Sequence, residues 1–150
     1  ALAGKLRTFL EGKEYPAGSG STLADRLAGW LKQVEPIRGH QLIGYHKNWI
    51  YFTQRFELDM VGYVEPKPGI PPTPRHVETI MDLIRDQGIE VILSANYFNP
   101  EKPKAIANRT GATVVTVPLY SEGEAGIDGY EELVDAWIGR LLAAFEATEG

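Results

Sequence analysis

His46 is the residue whose type and position best suit metal binding or proton transfer in this chain. It lies in the stretch GYHKNW at positions 44–49, which closes one apolar strand and opens an aromatic helix. A neutral imidazole is the commonest metal ligand in proteins and titrates near neutral pH. The sequence contains no cysteine, so any metal must be bound by His, Asp, Glu or water.

The carboxylates that could join His46 as ligands lie far from it in the sequence. Glu122 and Asp128 belong to a glycine-containing loop before the last helix. Zinc or manganese needs several such groups converging from different loops. Each residue also has an ordinary explanation: His46 as a hydrogen-bonded strand end, Glu122 as a surface charge, and Asp128 as a helix N-cap. Residue types alone leave the choice open.

The hydrophobic pattern predicts the elements that position these residues. Short apolar strands are expected at 41–45, 60–64, 90–93 and 113–117, and amphipathic helices at 23–34, 47–56, 74–87, 100–110 and 130–145. Three of the strands are continuously apolar, and strands alternate with helices along the chain. This order predicts an α/β fold, a three-layer sandwich with a four-stranded parallel sheet flanked by helices on both faces.

Parallel folds of this kind bind ligands outside the carboxyl ends of their strands, where the strand order reverses. On that rim the sequence places His46, Glu65, residues 94–97 and the loop 120–128. His40 precedes the first strand, at the opposite edge, and we expect it to be a surface turn residue. His76 falls in the first turn of a helix, where we expect it to belong to a cap.

A proline-rich segment at positions 65–74 follows the second strand. It has five prolines in ten residues, so it must be stiff and extended and cannot join a central sheet. Such a segment suits either the wall of a site or a plain connector. Thr73 and Pro74 at its end match an N-cap and a first helical residue.

Composition narrows the class of protein. A chain of 150 residues with a net charge of -5 has no basic face for nucleic acid. No apolar run approaches the roughly 20 residues that span a bilayer, and the start of the chain does not resemble a signal peptide. Residues 1–20 are predicted to form a short helix and a linker. Nucleophile-elbow, dinucleotide-binding and HExxH motifs are absent from the sequence, so a binding protein is favoured over an enzyme.

Three stretches together resemble the C-terminal lobe of bacterial zinc/manganese ABC-transporter solute-binding proteins. They are YHKNW at 45–49 with Tyr51 and Phe52, GYVEPKPGIPPTP at 62–74, and Ile92 and Leu93 with NYF at 96–98. The likeness covers residues 22–147. It implies a two-lobed periplasmic or extracytoplasmic receptor that binds zinc or manganese between its lobes, hands the ion to an ABC permease, and carries out no catalysis.

The resemblance also implies how this chain maps onto such a receptor. Residues 1–20 correspond to a remnant of the spine between the lobes, and residues 21–150 to the C-terminal lobe, whose partner is the N-terminal lobe. The histidine of the first motif matches His46, the leading ligand. The glutamate often found after the third strand falls on Ala95, and an aspartate expected after the fourth strand has no clear counterpart, which leaves Glu122 and Asp128 as substitutes.

A single histidine with water holds zinc weakly, so we expect the chain to fold without metal and to bind it weakly. A homodimer through the exposed cleft face is a further expectation. Two other functions stay open at this point. One is a metal-dependent hydrolase in which His46 binds zinc and Glu65 or Glu122 activates water, and the other is a divergent receptor or interaction domain with a degenerate metal site.

Overall fold

The computed structural model describes residue 22 and residues 29–67 and 69–148 of the chain. The chain divides into two compact units, Ala1–Pro36 and Ile37–Gly150. In the first unit, residues 29–33 are helical, and Trp30 and Val34 are buried. The helix, linker and spine remnant predicted for residues 1–20 lie outside the described residues. A 3-10 turn, Glu35–Ile37, leads into the second unit.

The second unit is built on a four-stranded parallel sheet in the order β2-β1-β3-β4. Its strands are β1 (Gln41–Gly44), β2 (Asp59–Tyr63), β3 (Val91–Ala95) and β4 (Thr113–Val117). Its helices are α1 (Ile50–Phe56), α2 (Pro74–Gln87), α3 (Glu101–Thr110) and α4 (Tyr130–Thr148). The predicted α/β fold is confirmed. The helix expected to start at residue 47 begins at Ile50, because residues 45–47 form a bend and Trp49 takes the N-cap position.

Alternate strand residues bury against different helices, which produces the three layers. One face of the sheet, including Ile43 and Ile92, packs against α2 and α3 through Ile80, Ile84 and Ile106. On the other face, α4 contributes a buried stripe that the sequence predicted. That stripe is Val134, Ile138, Leu141 and Phe145. Both faces of the central strands are therefore covered.

Aromatic side chains join α1 to α4. The Trp137 ring meets Trp49 edge-on with ring centroids 5.1 Å apart, and Phe52 at 5.2 Å. The Trp137 Nε1 donates a 2.6 Å hydrogen bond to the Pro118 carbonyl, directly after β4. Large rings of this kind bury much apolar surface and fix the angle between elements. The loop after β4 is thus tied to the same cluster that holds α1.

The two ends of the proline-rich segment are fixed by α2. Thr73 caps this helix by accepting a 3.2 Å hydrogen bond from the His76 amide, as the sequence predicted. The His76 ring also reaches the end of β2, where its Nε2 lies 2.9 Å from the Tyr63 carbonyl. The left-handed Gly88 ends the helix. This anchoring holds the proline-rich segment at the rim beside β2.

The chain leaves β1 toward β2 on one side and continues to β3 and β4 on the other. The carboxyl ends of β1 and β3 therefore mark the point where the strand order reverses, which is where open parallel sheets bind ligands. Within the described part of the chain, no helix is both long and apolar enough to span a membrane.

Candidate metal site

His46 lies immediately beyond β1 at this switch point. The strand ladder continues past the formal end of β1, since the Tyr45 amide donates to the Leu93 carbonyl at 2.8 Å and the Glu65 amide donates to the Tyr45 carbonyl at 2.8 Å. The residue before His46 is therefore hydrogen-bonded to the chain on both sides, at β3 and beyond β2. The residue exposure of His46 is 6%. A histidine so placed has a fixed position rather than a free surface rotamer.

The register of β1 against β2 brings His46 beside Glu65. Leu42 pairs with Met60, but Ile43 pairs with Gly62, so the pairing shifts by one residue at Val61. If the register after this irregularity continues, it places His46 opposite Glu65, whereas the register before it would place His46 opposite Val64. The His46 Nε2 lies 3.5 Å from the Glu65 Oε1, and the two side chains are 7% and 12% exposed. We call these two residues the donor pair.

Aromatic rings fix the imidazole of the donor pair. Phe98 stacks on the His46 ring with centroids 3.8 Å apart and planes at 21°, and Tyr45 approaches it edge-on at 4.8 Å. Tyr97 lies against Phe98 at 4.0 Å. The His46 Nδ1 is buried and has no hydrogen-bond partner among the residues that the structure describes. Packing, rather than a hydrogen bond at Nδ1, sets the orientation of this ring.

Tyr45 also fixes the carboxylate of the donor pair. Burial raises the pKa of the Tyr45 hydroxyl, and the charge of Glu65 and the hydrogen bond between the two side chains raise it further. The phenol therefore stays protonated and donates to the Glu65 carboxylate. The carboxylate is held in place at the same time as the imidazole.

The donor pair faces an open cavity of about 460 Å³. Its walls come from the ends of β1 and β2, the proline-rich segment and the loop after β3. The lining residues are Tyr45, His46, Asn48, Glu65, Gly69, Tyr97, Phe98, Asn99 and Lys102. The proline-rich segment thus contributes Gly69 to the cavity wall, which matches the first of its two predicted roles, the wall of a site. A small ion can reach the donor pair from this side.

The loop at residues 118–129, called the β4 loop, is built differently. Asn96 donates a 2.8 Å hydrogen bond to the Gly123 carbonyl, and Arg140 pairs with Glu124. The hydrogen bond from Arg140 lowers the pKa of Glu124. Glu122 and Asp128 are both exposed, and Glu122 has a left-handed backbone with φ of 65°. The loop is fastened to the domain, but these two carboxylates point to solvent-accessible surface.

Across residues 29–67 and 69–148, no group of three or more His, Asp or Glu side chains could hold a metal ion. His46, Glu122 and Asp128 therefore do not form one ligand set in this structure. Position 95, on the β3 side of His46, is a buried alanine that offers no donor. The carboxylate next to His46 comes from the β2 side instead.

Comparisons with known proteins identify the family to which this chain belongs. Residues 21–144 match the profile of the ZnuA family, described as the zinc-uptake complex component A, periplasmic. This chain belongs to the ZnuA family. Among its relatives is the high-affinity zinc uptake system protein ZnuA of Brucella abortus, which is 28% identical over 103 residues. That match covers 68% of this chain and 31% of the relative.

Solved structures share the fold. The solute-binding protein FpvC of Pseudomonas aeruginosa, in complex with Mn²⁺, superposes with a TM-score of 0.68 at 21% identity over 84% of this chain and 48% of that one. A ZnuA crystal structure gives a TM-score of 0.68 at 16% identity, covering 81% of this chain and 43% of that chain. The laminin-binding protein Lmb of Streptococcus agalactiae gives 0.61 at 22% identity, covering 83% and 46%.

Family membership confirms the resemblance inferred from the three sequence stretches. The ZnuA family consists of periplasmic solute-binding receptors rather than enzymes. This chain spans about a third of the curated relative and less than half of each of the three solved structures named above. The region matched by this chain is therefore one part of each of these longer proteins.

The other two histidines lie away from the cavity. His76 belongs to the α2 cap, as predicted. His40 was expected to be a surface turn residue, but it is only partly exposed, and its ring packs edge-on against Phe145 at 4.7 Å. The reason is that the last turns of α4 cover the amino edge of the sheet. Neither ring is part of the donor pair.

Sequence reasoning placed Glu65 on the rim but did not select it as a partner of His46. The strand register could have revealed this pairing, because it places the second residue after β1 opposite the second residue after β2. Phe98 was also missed as a packing partner, although it lies in one of the family stretches. Its position depends on the turn after β3, in which the Phe98 amide donates to the Ala95 carbonyl at 3.2 Å.

Proposed function

We propose that this chain is the C-terminal lobe of a periplasmic receptor that captures a divalent metal, zinc or manganese, and delivers it unchanged to an ABC-transporter permease. The observation that carries the proposal is the buried His46 beside a carboxylate at the switch point of the sheet. Membership of the ZnuA family supplies the class of cargo and of partner. The receptor is associated with the membrane through the permease.

His46 is the proposed metal ligand of this lobe. Its ring is held by Phe98, it lines the cavity together with Glu65, and an imidazole suits both zinc and manganese. In the closed receptor, Glu122 and Asp128 of the β4 loop are the remaining candidate ligands from this lobe. Because the described residues do not assemble three ligands, the isolated chain binds metal weakly.

The missing ligands come from an N-terminal lobe that covers the rim. Among the described residues, the large apolar side chains that are exposed share one location, the carboxyl edge of the sheet and the first turns that follow it. They are Ile50, Tyr51, Ile70, Tyr97, Tyr120 and Tyr130, and Tyr51 is 87% exposed. Exposed aromatic clusters of this kind mark interaction surfaces.

The N-terminal lobe of the same receptor is the proposed occupant of this rim, since the chain matches less than half of its longer relatives. A second copy of this chain is the alternative occupant, and size-exclusion chromatography with light scattering distinguishes the two. Capture then proceeds by closure of two rigid lobes over the ion, and release by their separation at the permease.

Titration calorimetry with Zn²⁺ and with Mn²⁺ tests the proposal. We expect the 150-residue chain to bind either ion with a dissociation constant weaker than about 1 μM, because it supplies only part of a coordination shell. His46→Ala is expected to weaken binding by about tenfold or more, comparable to the effect of disturbing a metal's supporting groups. His40→Ala, at the opposite edge, is the control. Sub-micromolar binding, or binding that His46→Ala leaves unchanged, would overturn this assignment.

A further inference from the structure

Glu65 is a largely buried carboxylate with no lysine or arginine partner among the described residues. Its side chain is 12% exposed, and within the described residues its one ion-pair partner is His46. The nearby Lys47 places its Nζ over the Tyr63 ring, 5.4 Å from the centroid, rather than on Glu65. Burying a carboxylate is costly unless a cation compensates it. The site therefore favours a positive charge next to Glu65.

The spacing within the donor pair fits a shared ion better than a strong hydrogen bond. A good N–H···O bond spans about 2.7–3.2 Å, and the His46 Nε2 lies 3.5 Å from the Glu65 Oε1. Two ligands of one tetrahedral zinc ion, each bound at about 2.1 Å, are separated by about 3.4 Å. The two atoms thus already stand at the distance that one cation between them would require.

We infer that Glu65 supplies a second metal donor of this lobe, with its Oε1 and the His46 Nε2 binding the same divalent cation. This inference rests on the proposed function. Tyr45 is a positioning residue, because its ring packs edge-on against the His46 ring at 4.8 Å and lines the same cavity as Glu65. Glu65 takes this role from the end of β2, on the side of His46 opposite the buried Ala95 of β3.

Coordination at Nε2 leaves the ring proton of His46 on Nδ1. That atom is buried without a hydrogen-bond acceptor in the part of the chain that the structure describes. Metal-bound histidines usually donate this proton to an acceptor, which strengthens binding. The donor pair alone therefore forms a preformed half of a site that binds an ion weakly. Such a half-site suits an ion whose coordination shell is completed by the partner lobe and which is later released.

Paramagnetic broadening of NMR signals by Mn²⁺ tests this inference, because it detects binding too weak for calorimetry. In the wild-type chain, added Mn²⁺ should broaden the signals of His46, Glu65 and Tyr45 first. Glu65→Gln keeps the shape of the side chain and one acceptor oxygen but removes its charge. We expect this variant to need about tenfold more Mn²⁺ or more for the same broadening at His46.

Glu146→Gln is the matched control, since Glu146 is exposed in the last turns of α4 at the opposite edge of the sheet, and it should behave as wild type. If Glu65→Gln does not fold, Glu65→Asp is the second variant. It keeps the charge but moves the carboxylate away from His46 by one methylene, so more Mn²⁺ should again be needed for the same broadening. An unchanged requirement in the folded variant overturns the role of Glu65 and leaves His46 in place. Wild-type broadening that bypasses His46 overturns the proposed function itself.

Discussion

The donor pair and the β4 loop are two parts of the same rim, and they treat their carboxylates in opposite ways. Glu65 is nearly buried beside His46, with a phenol as its hydrogen-bond partner. Glu122 and Asp128 are exposed, and the neighbouring Glu124 is already neutralised by Arg140. Both regions follow strand ends of one sheet, yet only the first holds its donor side chains largely away from solvent.

This difference shows which acidic residues on a rim are better candidates for metal ligands. The backbone of the β4 loop is fixed by Asn96 and Trp137, but its exposed carboxylates are solvated and need no further partner. The donor pair is fixed through its side chains, by stacking on Phe98 and by the Tyr45 hydroxyl. Preorganised, desolvated side chains are the ones that lose least freedom when an ion binds.

The largest effect is expected from breaking the anchor of the β4 loop. Trp137→Ala removes the ring contacts with Trp49 and Phe52 and the hydrogen bond to the Pro118 carbonyl. We expect the free energy of unfolding to fall by about 3 kcal/mol, as for other large aromatic truncations. Urea unfolding followed by circular dichroism measures it. A loss below about 1 kcal/mol would show that Trp137 does not fasten the loop.

Trp137→Phe is the matched control for that experiment. It keeps most of the ring packing and loses the donor to Pro118, so its cost should be close to a single hydrogen bond, about 1 kcal/mol. A Phe variant as unstable as the Ala variant would assign the effect to the hydrogen bond rather than to the aromatic cluster.

A smaller effect is expected from Tyr45→Phe, which sharpens the description of the donor pair. Removing the hydroxyl frees Glu65, so the variant should lose about 1 kcal/mol of stability near neutral pH. The pKa of Tyr45 is raised from 10.0 in the folded state. Its contribution to stability is therefore fully present below pH 10 and is lost as the pH rises through the higher folded-state pKa.

The pH profile separates this role from simple packing. Wild-type stability should decline more steeply above pH 10 than that of Tyr45→Phe, as measured by urea unfolding at several pH values. Burial also raises the pKa of Tyr63, so part of the loss of stability above pH 10 should occur in both proteins. Parallel profiles for the two proteins would contradict the hydrogen bond between Tyr45 and Glu65.

The smallest effect is expected from the double variant Glu122→Gln and Asp128→Asn. Both residues are exposed, so stability should change by less than about 0.5 kcal/mol. In the isolated chain, the Mn²⁺ requirement for broadening at His46 should stay within about twofold of wild type, because a solvated carboxylate away from the ion adds little. A larger loss than that of Glu65→Gln would reverse the ranking of the two regions.

Much of the fold follows from the sequence because it depends on local patterns. The apolar strands, the Thr73 cap and the left-handed Gly88 and Gly111 that end their helices all leave clear signals. The boundaries of β3 were less accurate, since the strand runs to Ala95 rather than ending near residue 93. The polar Ser94 suggests an end of the apolar run, but its side chain is buried and the strand continues to pair with β4 through Ala95.

The candidate site was harder to derive, because it depends on register rather than on pattern. His46 could be placed on the rim from its position after an apolar strand. Its pairing with Glu65 requires the one-residue shift at Val61, and an unshifted ladder would have put the apolar Val64 there. The stacking of Phe98 on His46 likewise joins residues that follow two different strands, β3 and β1, and no local preference specifies such a contact.

The central claim, that this lobe binds a divalent metal through His46, is tested most directly by the imidazole nitrogen chemical shifts during a Zn²⁺ titration. All three histidines of the chain report in one spectrum, and the His76 Nε2, held near the Tyr63 carbonyl, and the His40 ring, packed on Phe145, serve as internal references. We predict that the His46 Nε2 shifts first while the other two rings do not change. A His46 signal that stays unchanged while Zn²⁺ saturates the chain would contradict the claim.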